Sequence, residues 1–149
     1  MFRLPLLVLT TAIALAAAPA RAGGVEAYCP DLKWVLLAPP GGSAVQVIDV
    51  SRGVTPLSTL RSRPRGAVLA VHVQVASRRV WVLAENGLDA HDGFNGRVLG
   101  HWRAPEGVRL DRLEADAAGR LTAWSGARPF EAVQGAAMLV PAGARVSWR

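Results

Sequence analysis

Residues 77–96, SRRVWVLAENGLDAHDGFNG, hold the pattern that decides the fold. Two short runs of strand character, VWVLA and LDAH, stand on either side of Asn86 and Gly87. Asn-Gly is the preferred pair of a two-residue type I′ hairpin turn, because both residues tolerate positive φ. We therefore expect two antiparallel strands joined by a tight turn at this pair.

Further strands are predicted on both sides of this hairpin. Upstream, residues 68–75 (VLAVHVQV) alternate between two faces and reach the hairpin through a tight connection at Ser77 and Arg78. Downstream, strands are predicted at 97–102, 110–115 and 120–124, with turns at 92–96, 104–107 and 116–119. Turn signals every 8–12 residues are typical of an all-β antiparallel meander.

A repeat is visible within this meander. The segment RVWVLA at 79–84 is similar to RLTAW at 120–124, which lies 41 residues further on, and an earlier copy is KWVLLA at 33–38. A period of about 40–47 residues that carries four short strands matches a propeller blade.

The segments VQVIDVSRG at 45–53 and SRRVWVLAENG at 77–87 resemble repeats of bacterial periplasmic β-propellers of the YncE-type and quinoprotein-like kind. The resemblance covers about residues 33–124 and implies propeller-like blades. About three blades fit, fewer than the usual 4–8, so we expect an incomplete ring, with a small β-sandwich as the alternative. That family includes lactonases, dehydrogenases and pure scaffolds, so the resemblance implies no particular activity.

Residues 1–22 have the three parts of a Sec signal peptide. Arg3 gives a positive start, an apolar run extends over 4–18, and Ala20 and Ala22 are small residues at the cleavage position. The apolar run is shorter than the ~20 residues of a membrane-spanning helix, although an uncleaved anchor is the alternative. Residues 23–149 are then expected to form a single all-β repeat domain, periplasmic or secreted, without a transmembrane segment.

Several function classes find no support in the sequence. The formal net charge is +6, but the arginines are scattered rather than interleaved with aromatic residues, so we expect no nucleic-acid binding. The single cysteine, Cys29, excludes an intramolecular disulfide. Neither a nucleophile elbow nor a phosphate loop is present. We therefore expect a protein that is not an enzyme and uses no cofactor.

Asp89, His91, Asp92 and His101 form the candidate metal site. They lie at strand ends around the turn at 92–96, and a hairpin there would bring them together. His and Asp side chains can bind zinc or copper. The alternative is that the carboxylates accept hydrogen bonds from turn backbone and that the imidazoles are exposed strand residues.

The five tryptophans are the most unusual content of the sequence. Trp81, Trp102 and Trp124 recur at strand positions and are candidates for a surface that contacts a partner, while packing between sheets is the alternative. Taken together, the sequence predicts an exported, non-catalytic protein-binding or assembly module with a protein partner or a homo-oligomeric state. The alternative is a small-ligand or metal-binding accessory protein of a periplasmic redox system of quinoprotein type.

Overall fold

The structure, a computed structural model, describes residues 24–61 and 66–144. Within these ranges the chain forms twelve β-strands and no helix. The strands are β1 (Val25–Cys29), β2 (Trp34–Ala38), β3 (Ala44–Asp49), β4 (Thr55–Arg61), β5 (Val68–Gln74), β6 (Arg79–Ala84), β7 (Gly87–Asp92), β8 (Val98–Arg103), β9 (Arg112–Ala115), β10 (Leu121–Ser125), β11 (Arg128–Glu131) and β12 (Val140–Pro141).

The strands form three four-stranded antiparallel sheets, each of which follows the order of the chain. Sheet 1 contains β1 to β4, sheet 2 contains β5 to β8, and sheet 3 contains β9 to β12. The predicted all-β antiparallel meander is therefore confirmed, and it has three sheets rather than the two of a simple sandwich. The three sheets close no ring within the described part of the chain.

Sheet 2 is covered on both faces. One apolar cluster joins it to sheet 1 and includes Trp34, Leu36, Val80, Val82 and the free thiol of Cys29. A second cluster joins the opposite face of sheet 2 to sheet 3. Because both faces meet apolar neighbours, β6 is buried nearly throughout instead of alternating between buried and exposed residues.

The second strands of the three sheets, β2, β6 and β10, correspond to the three copies of the sequence repeat. In β6, Val80 and Val82 face the preceding sheet, while Trp81 and Leu83 face the following sheet. In β10, Ala123 faces the preceding sheet. The repeat therefore marks equivalent positions in sheets 2 and 3. In β2 it is shifted by one residue, because Trp34, which the sequence aligns with Val80, has the ladder position of Arg79.

The first strands of the three sheets lie beside one another. Strand β1 contacts β5, and β5 in turn contacts β9. A side-chain amide also joins sheets 2 and 3, because Gln74 accepts a hydrogen bond from Trp81 Nε1 (3.0 Å) and donates one to the carbonyl of Gly119 (3.1 Å).

The hairpin between β6 and β7 turns one residue earlier than predicted. Its two loop residues are Glu85 and Asn86, neither of which has positive φ, and Gly87 belongs to β7, where it pairs with Ala84. The type I′ turn at Asn86 and Gly87 is therefore wrong. The turn carbonyls are held from outside the hairpin: Leu110 N–H donates to Glu85 O (2.7 Å), and Ala104 N–H donates to Asn86 O (2.9 Å).

The other predicted turns agree with the structure. The connection at Ser77 and Arg78 joins β5 to β6, with Arg78 at φ 53°. The segments 92–96 and 116–119 are turns that lead into β8 and β10. The predicted signal peptide at 1–22 and Trp148 lie outside the described residues. Within those residues, no helix is long and apolar enough to cross a membrane.

Candidate functional site

Three of the four candidate metal ligands meet on one face of sheet 2. Asp89 and His91 alternate with Leu88 and Ala90 on β7, so both face sheet 1, and both are fully buried. His101 pairs with Asp89 across the β7–β8 ladder and therefore lies on the same face. The prediction that the hairpin brings these residues together is correct for these three.

Asp89 is the centre of this cluster. Its Oδ1 is hydrogen-bonded to His101 Nδ1, and its Oδ2 lies 3.8 Å from His91 Nε2. The His101 side chain is 29% exposed, whereas the side chains of the other two are inaccessible. A buried carboxylate is costly without hydrogen-bond donors, and the imidazole supplies one. The cluster thus joins β7 to the edge strand β8.

Asp92 lies apart from the cluster because it follows His91 directly on β7 and its side chain therefore points to the opposite face of the sheet. Its Oδ1 accepts hydrogen bonds from the backbone N–H groups of Phe94 (2.8 Å) and Asn95 (3.2 Å). This is the turn-stabilising alternative expected for an Asx residue. The other half of that alternative is wrong for His91, which is buried rather than exposed.

Metal binding by this cluster stays a prediction. Across residues 24–61 and 66–144, no group of three or more His, Cys, Asp or Glu residues is placed to hold a metal ion. His91 Nδ1 lies 3.4 Å from the carbonyl oxygen of Gly96, which turns that nitrogen toward the backbone of the turn. The chemistry that this arrangement shows is hydrogen bonding within the interface between sheets 1 and 2.

Two of the three candidate surface tryptophans pack between sheets 2 and 3. Trp81 is only 8% exposed, and its ring stacks on that of Trp102 with 5.5 Å between centroids. The indole N–H of Trp102 donates to the carbonyl of Val133 (2.9 Å). Trp81 is therefore a core residue rather than a surface residue, while Trp102 stays half-buried at the margin of the same interface.

Trp124 lies on the side of sheet 3 that points away from sheet 2. Its ring is half-buried beneath Arg112, whose guanidinium carbon lies 4.8 Å from the ring centroid. Arg112 Nε also lies 3.3 Å from Glu114 Oε1. Strand pairing defines the other residues of this outward face of sheet 3, which are Arg112, Glu114, Thr122, Trp124, Pro129, Glu131 and Val140.

A second outward face lies on sheet 1, on the side away from sheet 2. Tyr28 is 39% exposed there, and Val35, Leu37 and Ile48 are half-buried. Strand pairing places these residues on one face, which comprises Glu26, Tyr28, Val35, Leu37, Gln46 and Ile48. Sequence reasoning did not identify this face, although the alternation within β1 and β2 was a usable signal.

A cleft of about 740 Å³ lies beside sheet 3, between the segment after β8 and strands β11 and β12. Val108, Phe130 and Met138 contribute apolar side chains, and Glu106 and Arg128 contribute the charged groups. Met138, which lines the cleft, is one of the exposed large apolar residues. Its lining suits a small, mainly apolar molecule.

No protein-family model matches this chain, and curated proteins offer no match either.

Proposed function

We propose that this protein is an exported, non-catalytic module that binds or assembles with proteins through propeller-like blades. The observation that carries the proposal is the pair of outward faces on sheets 1 and 3. Both present partly exposed apolar side chains at positions whose counterparts on sheet 2 are buried against a neighbouring sheet.

The organisation of the sheets supports the assignment of blades. Each sheet is a four-stranded antiparallel meander, and the first strands β1, β5 and β9 contact one another in sequence. Blades of a propeller are four-stranded sheets set around a central channel. Sheets 1, 2 and 3 have this strand order, and the strands that would line such a channel contact one another.

The equivalent positions of the repeat support a role for the outward faces in binding. Thr122 and Trp124 on β10 correspond to Trp81 and Leu83 on β6, which sheet 3 buries. A partly exposed tryptophan beside an arginine is also typical of residues that dominate the energy of protein interfaces. The face around Trp124 therefore has the shape and composition to receive another protein surface.

Site-specific photocrosslinking in the producing cell tests this function. A photoreactive amino acid at Thr122 or Leu37 is expected to give covalent protein adducts, because both positions lie on the outward faces. Ser77, which is exposed in the β5–β6 connection, is the matched control and should give none. Absence of protein adducts from both face positions would contradict the proposal.

Export rests on the sequence of residues 1–22, with its positive start, apolar run and small residues before the cleavage position. Fractionation of the cells should recover the protein in the periplasm or the medium, with a mature N-terminus at Gly23. Recovery of the full-length chain in the cytoplasm would contradict export, without bearing on the outward faces.

A second candidate function is that of a small-ligand accessory protein of a periplasmic redox system. The observation that favours it is the apolar cleft beside sheet 3, which is lined in part by the exposed Met138. Titration with an uncharged apolar fluorescent dye such as Nile red should show saturable binding that Met138→Arg weakens. Leu99→Arg is the control, because Leu99 is also exposed and apolar but does not line the cleft. Equal dye binding by both variants would argue against this function.

A further inference from the structure

We propose that the outward face of sheet 3 docks on the outward face of sheet 1 of a second copy of this chain. Two copies then supply six sheets and join twice, through two identical interfaces related by a two-fold axis. This inference rests on the proposed function and deepens it, because it names the partner of the outward faces.

Continuity with the interfaces inside the chain supports a second copy as the occupant. Sheet 2 sits on sheet 1, and sheet 3 sits on sheet 2, in each case with the first strands in contact. The next sheet in this series would place its first strand on β9 and its second strand on β10. Sheet 1 packs on sheet 2 with one face. Its opposite face, the outward face, is the one that in sheets 2 and 3 packs on the preceding sheet, so sheet 1 of a second copy can pack on sheet 3 through it.

The equivalent positions on β2 and β6 make the match specific. Cys29 pairs with Trp34 across β1 and β2 as Gln74 pairs with Arg79 across β5 and β6, so Val35 corresponds to Val80. Val80 is fully buried against the preceding sheet, whereas Val35 is half-buried and has no preceding sheet within the described residues. A second copy that presents the Trp124 face would cover Val35 as sheet 1 covers Val80.

The charges of the first strands are complementary in this arrangement. Strand β9 presents Arg112 on its outward side, and β1 presents Glu26 and Tyr28 on its outward side. Placing β1 of the second copy on β9 brings Arg112 toward an exposed carboxylate and an aromatic ring, both of which are good partners for a guanidinium group. Glu114 already pairs with Arg112, whose side chain is nevertheless 48% exposed and can contact a second copy.

The number of sheets is compatible with ring closure. Propellers contain about 4–8 blades, and two copies of the three described sheets give six. A ring closed by a two-fold axis uses each outward face once per copy, so both faces are covered in the same assembly.

Sedimentation equilibrium of the full chain tests the inference. We expect a reversible dimer, and we expect Thr122→Arg to raise its dissociation constant by roughly 30-fold or more, the size typical of a central interface residue. Thr55→Arg is the matched control: it makes the same chemical change at an exposed residue of β4 that belongs to neither outward face, and it should leave the constant unchanged. Circular dichroism verifies that both variants fold.

Charge reversal identifies the contact itself. Glu26→Arg and Arg112→Glu should each raise the dissociation constant by roughly tenfold, and the double variant should restore much of the affinity. Recovery in the double variant is not expected if either residue acts only within its own copy, because the two lie on different sheets.

The outcomes separate this inference from the proposed function. A folded wild-type chain that stays monomeric at high concentration, or a dimer that both Thr122→Arg and the charge reversals leave intact, overturns the second copy as partner. If the Thr122 photocrosslink then yields an adduct with a different protein, the proposed function survives. If neither Thr122 nor Leu37 yields an adduct with any protein, both fail.

Discussion

Strands β6 and β10 come from the same sequence repeat, yet their surroundings differ. β6 lies in the middle sheet and is buried on both sides, whereas β10 lies in an outer sheet and buries Ala123 while leaving Thr122 and Trp124 half-exposed. The comparison shows that position in the stack, rather than the repeat itself, decides whether a face becomes core. The same motif makes an interior in sheet 2 and an available surface in sheet 3.

The largest expected contrast between the middle and outer sheets comes from matched leucine truncations. Leu83→Ala removes a fully buried side chain of sheet 2 and should lower the free energy of unfolding by about 2–5 kcal/mol. Leu37→Ala, on the outward face of sheet 1, should cost roughly half as much or less, because part of that side chain is already in water. Urea denaturation at low protein concentration measures both values. Equal losses would contradict the claim that position in the stack decides how much each face contributes to stability.

Gly100 offers a second way to disturb the middle sheet. A Cβ at this position would lie 2.2 Å from Cη2 of Trp102, whose ring covers the glycine. Gly100→Ala should therefore lower the free energy of unfolding by about 1–3 kcal/mol, as overpacking does. Trp102→Leu removes the colliding ring, so in a double-mutant cycle the alanine should cost less in the Trp102→Leu background. A cost that does not change with the background would exclude the collision as its cause.

A buried carboxylate is another difference between the middle and outer sheets: within the described residues, the fully buried carboxylate is Asp89 of sheet 2. Asp89→Asn weakens the hydrogen bond to His101 and should cost about 1–3 kcal/mol. Asp92→Asn keeps a side-chain oxygen for the turn backbone and should cost much less. Thermal unfolding of the two variants side by side gives the difference, and a larger loss for Asp92→Asn would contradict this account.

The smallest expected effect is a pH dependence from the interface between sheets 2 and 3. Burial lowers the pKa of His72, so the unfolded chain binds a proton at higher pH than the folded chain does. Stability from this residue is present above the unfolded pKa of about 6.5 and is lost as pH falls toward the lowered folded value. His72→Gln should flatten the decline in the urea midpoint between neutral and mildly acidic pH. An unchanged decline would show that His72 does not contribute.

Much of the strand pattern could be predicted from local sequence. The prediction at 68–75 matches β5, and the copies of the repeat match β2, β6 and β10. Strands β4 and β11 were not identified, since Pro56 and Pro129 interrupt strand signals that only pairing with a neighbour overrides. The hairpin at Glu85 also depends on a distant residue, because Leu110 holds its carbonyl.

The part of the candidate site that follows from the alternation of side chains along a strand could be predicted from the sequence. Asp89 and His91 share a face and meet His101 through cross-strand pairing, whereas Asp92 has the opposite parity and points elsewhere. The burial of Trp81 and the exposure around Trp124 could not be predicted in the same way. They depend on which sheet has a neighbour, and that is a property of the stack rather than of either strand.

Every sheet is made from strands that are consecutive in the chain, and this has a kinetic consequence. Pairing of consecutive strands requires only short loop closures, so each sheet can form with little dependence on the others. The sheets then stabilise one another as neighbours in a row, as in other repeat architectures. Amide hydrogens of β6 and β7 should therefore exchange most slowly, and opening of the native state should begin at the two ends of the row and move inward.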